Sequence, residues 1–155
     1  MNLYLQDKVI LITDGGDFLV SLISRLLEEK GAIPCRIPLI DPEFCILQIQ
    51  ETIRHYGRID GLVNTLAMRE HIFLAYVITK AARPWLQASG GAIVNIMAAA
   101  NNSSMGLTAA WASELLRQGI RVNGIIIREG QQPDIAETVA FLLSPAATAL
   151  NGELV

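Results

Sequence analysis

The sequence is poor in charged residues. Only 17% of its 155 residues are Asp, Glu, Lys or Arg, against roughly 25% in an average soluble domain. So small a charged fraction leaves few side chains for a fully solvated surface, which predicts a sheet covered on both faces and favours contacts between copies of the chain. The formal net charge is -3, and the lysines and arginines are scattered along the sequence. This distribution argues against a nucleic acid or an anionic membrane as partner.

Long apolar runs are absent as well. No run approaches the ~18 apolar residues that a membrane-spanning helix requires, and the apolar stretch at residues 92–100 is interrupted by Asn95. Residues 1–8 do not combine a basic segment with an apolar one, so we predict no signal peptide and expect a cytoplasmic protein. The cysteines, Cys35 and Cys45, fit neither a CxxC pair nor zinc-ligand spacing, and we predict two buried thiols and no metal site.

Short aliphatic segments alternate with segments in which apolar residues recur at helical spacing. The predicted strands are residues 9–13, 32–40, 59–64, 92–97 and 120–127. The predicted helices are residues 19–27, 44–56, 72–88, 107–116 and 135–143. This alternation predicts an α/β fold, with one doubly wound, mostly parallel sheet and helices on both of its faces. We assign residues 1–155 to a single domain.

Prolines and chain ends add detail to this prediction. Pro34 and Pro38 lie in the second predicted strand, and they favour an edge position because proline cannot donate a hydrogen bond to a sheet. Asp41 and Pro42 are typical of a helix N-cap and first turn. Pro84 lies inside the third predicted helix, where we expect a kink or a break. Residues 152–155 resemble the beginning of a strand that is cut off.

Four blocks of the sequence carry a resemblance to a known family. They read YGRIDGLVN at residues 56–64, GAIVNI at 91–96, GIRVN at 119–123 and VAFLLSP at 139–145. The chain thereby resembles the short-chain dehydrogenases/reductases, and within this family residues 5–9 and the later blocks most resemble the sugar (L-fucose type) dehydrogenases. The resemblance implies a Rossmann-like fold, here reduced in size, because a strand and a helix of the family are missing between the first helix and the helix at residues 44–56.

The resemblance also implies where a cofactor would bind, and the motifs are degenerate there. Family members bind NAD or NADP through a T-G-x-x-x-G-x-G turn, of which Thr13 remains; its three glycine positions hold Asp14, Phe18 and Val20. We expect the carboxylate to repel a diphosphate and the two bulky side chains to obstruct it. A second family element, N-N-A-G, is Asn64 to Ala67 here and keeps only its first residue. The candidate cofactor-binding residues are Thr13, Gly15, Gly16 and Asn64, and we expect no cofactor, or NAD or NADP if any.

The catalytic positions of the family are not retained either. Family members use a Ser after the fifth strand and Tyr-x-x-x-Lys on the next helix; Ala98 stands at the Ser position, and no Tyr or Lys follows Lys80. The sequence does contain Tyr76 four residues before Lys80, but this pair precedes the strand at 92–97, whereas the family's pair follows it. His71 lies near a catalytic Asn position of the family and reads as a helix-start or surface histidine. We therefore assign no catalytic residue.

Three hypotheses remain open at this stage. In the first, the chain is a pseudoenzyme with a scaffold or partner-binding role. In the second, it is an oxidoreductase acting on a sugar or alcohol through a rebuilt site that uses His71, Tyr76 and Lys80 around a nicotinamide. In the third, it is an artificial or truncated relative. The sequence identifies neither a substrate nor a partner.

Self-association is a further expectation that the resemblance implies. Family members pair their subunits through the fourth and fifth helices, which correspond here to residues 72–88 and 107–116. The apolar residues on these helices can serve a subunit interface or the core equally well; they are Leu74, Val77, Ile78, Trp85, Leu107, Trp111 and Leu115. A homo-oligomer is therefore possible.

Overall fold

The computed structural model describes residues 3–66, 69–98, 102–127 and 132–155, without the side chains of Arg69, Asn102, Ser103, Gln132 and Pro133. The strands are β1 (Val9–Asp14), β2 (Ile33–Pro38), β3 (Gly61–Leu66), β4 (Ala92–Ala98) and β5 (Arg121–Ile127). The helices are α1 (Phe18–Glu29), α2 (Pro42–Tyr56), α3 (Arg69–Ser89), α4 (Asn102–Leu115) and α5 (Gln132–Leu143). Each predicted strand and helix thus has its counterpart.

The five strands form one parallel sheet in the order β2-β1-β3-β4-β5. Successive side chains of a strand point to opposite faces of a sheet, and β1 shows this directly: Ile10 and Ile12 belong to one buried cluster and Leu11 to the other. Helices α1 and α5 cover the first face, and α2, α3 and α4 cover the second. The predicted doubly wound α/β fold is confirmed.

The first half of the sheet is reduced as the sequence predicts. Residues 30–41, all of which the structure describes, hold β2 and no helix, so one strand alone joins α1 to α2. Strand β2 pairs only with β1 among the described strands and lies at the edge of the sheet, where Pro34 and Pro38 are tolerated. Asp41 caps α2 by accepting a hydrogen bond from the Phe44 amide at 2.8 Å.

Of the kink or break expected at Pro84 in α3, the break is wrong and the kink stays a prediction. The helix runs from Arg69 to Ser89 through the proline without interruption. Three residues of α3 that are almost completely buried, Leu74, Ile78 and Leu86, anchor it on the sheet on both sides of Pro84. This packing outweighs the one backbone hydrogen bond that proline cannot donate.

We expect the Pro84→Ala variant to be more stable than the wild-type protein by about 2 kcal/mol. Alanine restores the missing amide donor, and proline is ~3 kcal/mol less favourable than alanine in a helix interior. Pro84 is exposed, so the change removes no core contact. Urea unfolding followed by circular dichroism measures the difference, with exposed Arg83→Ala as a control that changes little. Loss of stability in Pro84→Ala would contradict this account.

Two smaller expectations need correction or qualification. Cys45 is buried as predicted, but Cys35 on edge strand β2 is only half-buried, and burial raises the pKa of both thiols. Residues 152–155 form no full strand; a single parallel bridge joins Leu154 to Gly124 of β5. Among the described residues, no helix is long and apolar enough to cross a membrane.

Candidate functional site

The order of the strands places a topological switch point between β1 and β3. The chain leaves β1 toward β2 on one side and continues from β3 toward β4 on the other, so the connections diverge at the carboxyl ends of β1 and β3. In open α/β sheets, ligands bind at this switch point. The described residues that border it are the turn at residues 14–17, which joins β1 to α1, and the first turn of α3. Ala67, in the second cofactor element, lies outside the described residues.

The turn between β1 and α1 uses its own carboxylates to satisfy its amides. Asp14 accepts a hydrogen bond from the Gly16 amide at 2.8 Å, and Asp17, the N-cap of α1, accepts one from the Leu19 amide at 3.0 Å. Amides at the beginning of a helix are the groups that hold phosphate in dinucleotide-binding folds. Here at least two of the amides have an internal, negatively charged partner, with which a diphosphate would have to compete.

The carboxylate of Asp14 does not stand alone in this turn. Its Oδ2 lies 3.8 Å from a guanidinium nitrogen of Arg36 on β2. Arg36 also donates hydrogen bonds to the hydroxyl groups of Ser24 and Ser21 on α1, at 3.3 and 3.4 Å. The expectation of a plain repulsion between Asp14 and a diphosphate is therefore too simple, because Arg36 offsets part of the charge.

Val20 also differs from the expectation that it and Phe18 obstruct the bend. Phe18 begins α1 and is 72% exposed, so its ring is directed to solvent. Val20 is 0% exposed and belongs to the core between α1 and the sheet. Val20 therefore does not fill the bend, whereas obstruction by the exposed Phe18 stays a prediction.

His71, in the first turn of α3, packs against one side of the bend. A Cβ atom placed on Gly15 would lie 2.5 Å from Cε1 and 3.0 Å from Nε2 of the imidazole, so the ring packs directly against the α-carbon of Gly15. Only glycine leaves enough room for this contact. The helix-start position of His71 agrees with the sequence interpretation, but the ring is half-buried at the switch point and is not a surface group.

The imidazole also carries a polar atom without a partner. Nδ1 of His71 is buried and forms no hydrogen bond within the part of the chain that the structure describes. A buried polar group left unsatisfied costs about 1–3 kcal/mol. Nδ1 therefore gives this position of the ring no stabilisation by hydrogen bonding.

Thr13, which matches the first residue of the family's cofactor turn, is fully engaged within the sheet. Its hydroxyl accepts a hydrogen bond from the Thr65 amide at 2.8 Å, and the two threonine hydroxyls lie 3.0 Å apart. The Thr65 hydroxyl in turn donates to the Thr13 carbonyl at 2.9 Å. Thr13 is 1% exposed, so it connects β1 to β3 and does not face the crevice.

Asn64, the remaining candidate cofactor-binding residue, belongs to a buried polar network. Its Nδ2 donates to Oδ1 of Asn95 at 3.0 Å and lies 3.4 Å from the hydroxyl of Thr79 on α3. Nδ2 of Asn95 donates in turn to the hydroxyl of Thr108 on α4, at 3.0 Å. The network joins two helices through two strands, and Asn64 itself is 0% exposed. The structure brings Gly15 and Gly16, but neither Thr13 nor Asn64, to the surface of the turn.

The catalytic positions hold no acid or base in the described part of the site. Ala98, the last residue of β4, is exposed at the carboxyl end of the sheet and presents a methyl group. Helix α4, which follows β4, contains neither Tyr nor Lys in its sequence. Within the described residues there is also no group of three or more His, Cys, Asp or Glu side chains that could hold a metal ion.

The structure does not bring all three residues of the rebuilt-site hypothesis together: Tyr76 and Lys80 share a groove, and His71 lies elsewhere. Tyr76 and Lys80 line a small groove of about 100 Å³ between α3 and α4, which they share with Trp111 and Glu114. His71 does not line this groove, and its ring contacts Gly15 instead. Tyr76 and Lys80 therefore stand apart from the switch point where a nicotinamide nucleotide would bind.

Most of the apolar residues that were candidates for a subunit interface on α3 and α4 lie in the core. Trp85 is 38% exposed, Val77 and Leu107 are half-buried, and the other four are buried, namely Leu74, Ile78, Trp111 and Leu115. On α3 the apolar groups that reach solvent also include Phe73 and Tyr76. Self-association through these helices stays a prediction.

A cavity of about 290 Å³ lies at the opposite, amino-terminal edge of the sheet. Arg121 lines it and donates hydrogen bonds to the carbonyl groups of Leu142, Ser144 and Ala147, at 2.8–3.1 Å. Burial lowers the pKa of Arg121. Since the guanidinium caps the end of α5, its role there is structural, and the cavity is remote from the switch point.

Comparison with known proteins fits the geometry of the sheet. No protein-family model matches the sequence. Solved structures do match, with TM-scores of 0.84 for a Thermoplasma acidophilum aldohexose dehydrogenase and 0.83 for a Serratia marcescens short-chain dehydrogenase/reductase. Sequence identities are 19% and 21%, over 100% and 97% of this chain and 94% and 95% of those chains.

The fold is that of the short-chain dehydrogenases/reductases. A third structure of this fold is a Brucella ovis oxidoreductase in complex with a partially ordered NAD; its TM-score is 0.77 at 18% identity, over 97% of this chain and 99% of that chain. The structural similarity establishes the short-chain dehydrogenase/reductase fold. At identities this low, function has to be argued from the site.

Proposed function

We propose that this protein is a short-chain dehydrogenase/reductase-like pseudoenzyme that does not transfer hydride and serves as a scaffold or partner-binding protein. The observation that carries the proposal is the state of the turn after β1. The His71 ring packs against one side of Gly15, which otherwise stays exposed, and the carboxylates of Asp14 and Asp17 hold the amides of Gly16 and Leu19. A dinucleotide diphosphate needs this surface for binding.

The catalytic positions support the same proposal independently. Hydride transfer to a carbonyl needs a positioned proton donor, and loss of such an acid/base group removes typically 10²- to 10⁴-fold in rate. Ala98 cannot hydrogen-bond a substrate oxygen, and α4 offers no tyrosine or lysine. Among the described residues, the groups that would bind the cofactor and the groups that would transfer the proton are therefore both missing.

Titration of thermal unfolding with NAD, NADH, NADP and NADPH tests the proposal. A ligand present at a hundred times its dissociation constant stabilises a protein by about 2.7 kcal/mol, which is a clear rise in melting temperature. We expect no saturable rise with any of the four nucleotides. The Brucella ovis oxidoreductase that was solved with NAD serves as the positive control.

A saturable rise with one nucleotide would contradict the proposal. It would favour the alternative, an NAD(P)-dependent oxidoreductase acting on a sugar or alcohol, and absorbance assays of nicotinamide reduction with such substrates would follow. The similarity to an aldohexose dehydrogenase makes aldohexoses the first substrates to try.

A further inference from the structure

We infer that Pro34 and Pro38 close the outer edge of β2, the side of this strand that faces away from β1, so that copies of the chain do not join their sheets there. The inference is independent of the proposed function, because it concerns the end of the sheet and not the switch point between β1 and β3. It goes beyond that function by excluding one mode of self-association, a sheet that continues from one copy into the next.

The pairing of β2 with β1 shows which backbone groups face outward. The Ile33 amide donates to the Lys8 carbonyl at 2.7 Å, and the Leu39 amide donates to the Asp14 carbonyl at 2.9 Å. The parallel register between these two hydrogen bonds is uninterrupted. Because the backbone groups of a strand alternate between its two sides, the even-numbered residues of β2 direct theirs away from β1.

The outer edge of β2 offers almost no amide to a further strand. Pro34 and Pro38 have no N–H group. Next to the strand, the Ala32 amide donates to a carbonyl group of α1 at 2.9 Å, and the Ile40 amide donates to the Pro38 carbonyl at 3.0 Å. Among the described strands only β1 pairs with β2, so Arg36 alone keeps an outward amide for a strand that would pair here.

A second copy that paired its own β2 across this edge would find too few donors. An edge strand is a template for pairing with another chain when its backbone groups are unpaired. Antiparallel pairing about a two-fold axis at Arg36 places residue 34 of one copy opposite residue 38 of the other, and each such pair needs an N–H from both members. Of the three outward positions of each strand, two are prolines. Carbonyl groups would therefore be buried without donors, which costs free energy.

The opposite edge of the sheet is protected in a different way. On β5, the amides of Gly124 and Ile126 donate to the carbonyl groups of Glu153 and Val155, at 2.8 and 3.0 Å. Residues 152–155 thus cover part of that edge with backbone of the same chain. At β2 the donors themselves are absent, so the two prolines are the feature that closes the outer edge.

The double variant Pro34→Val with Pro38→Val tests the inference, because valine restores both amides and favours a strand. Sedimentation equilibrium of the full chain measures self-association in about 0.5 M sodium chloride, which screens the charge of Arg36. Two restored amides in each of two copies add hydrogen bonds that contribute roughly two- to tenfold each. We expect the double variant to form a species of twice the wild-type mass at concentrations at least about tenfold below those at which the wild-type protein does so.

Arg36→Val is the matched control for this variant. It makes the same edge more apolar, but it restores no amide at position 34 or 38. We expect it to associate no more than the wild-type protein. An equal gain in this control would overturn the inference, and so would a double variant that is folded by circular dichroism yet associates no more than the wild-type protein.

Hydrogen exchange of the wild-type protein gives a measurement that needs no variant. We expect the Arg36 amide to exchange fast and the amides of Cys35 and Ile37, which face β1, to be protected. In the associated double variant, the Arg36 amide should become protected as well. A protected Arg36 amide in the wild-type protein would overturn the inference, because another segment would then cover the outer edge. None of these measurements depends on nucleotide binding, so the inference and the proposed function are tested separately.

Discussion

The Gly91→Ala variant is expected to be less stable than the wild-type protein by about 3 kcal/mol. Gly91 immediately precedes β4, and a Cβ atom there would lie 2.5 Å from the carbonyl oxygen and 3.0 Å from the carbonyl carbon of Asp60. Both are backbone atoms that cannot rotate aside, so β4 must shift against β3. Insertion of a methyl group into a well-packed region costs typically 1–3 kcal/mol, and contact with fixed backbone lies at the upper end.

Gly90 provides a matched control for this prediction. It is adjacent in sequence and has a φ of +66°, but a Cβ atom there would meet nothing within 4 Å. Gly90→Ala therefore costs only the strain of a left-handed alanine, about 1 kcal/mol. Urea unfolding of the two variants measures the difference. Equal losses of stability would contradict the steric account of Gly91.

The secondary structure could be predicted because its signals are local. Strands such as β3 and β4 are mostly apolar runs that begin at or just after a glycine, and α2 has an aspartate cap and a proline in its first turn. Pro84 misled the prediction because the helix is held by tertiary contacts that the sequence does not display. The bounds of α4 and α5 likewise differ from the predicted ones, since both helices begin earlier.

The candidate site was harder to predict because its contacts are remote in sequence. The contact between Gly15 and His71 joins the first strand–helix turn to α3, and one histidine at a helix start gives no signal of its partner. The salt bridge between Asp14 and Arg36 depends on the pairing of β1 with β2. Family motifs pointed to this turn, but they could not show which side chains pack against it.

Thr13 and Asn64 illustrate a second limit of predicting a cofactor site from family motifs. Both match cofactor motifs of the family by position, yet the Thr13 hydroxyl and Nδ2 of Asn64 bond inside the protein, while Oδ1 of Asn64 is buried without a hydrogen-bond partner in the described part of the chain. A motif residue whose groups bond inside the protein belongs to the packing whether or not a ligand binds. A match to the motif at these positions therefore does not by itself indicate a cofactor site.

Val20 allows this reasoning to be tested, because restoring its family residue should cost stability. Val20→Gly is expected to destabilise the protein by about 3 kcal/mol: about 2 from the lost side chain and its cavity, and about 1 from glycine in the helix. Val20 is completely buried, whereas Phe18, at another glycine position of the motif, is 72% exposed, so Phe18→Gly should cost less than half as much. Thermal and urea unfolding measure both. If the two variants lost stability equally, the burial of Val20 would not be what determines the cost of glycine at this position.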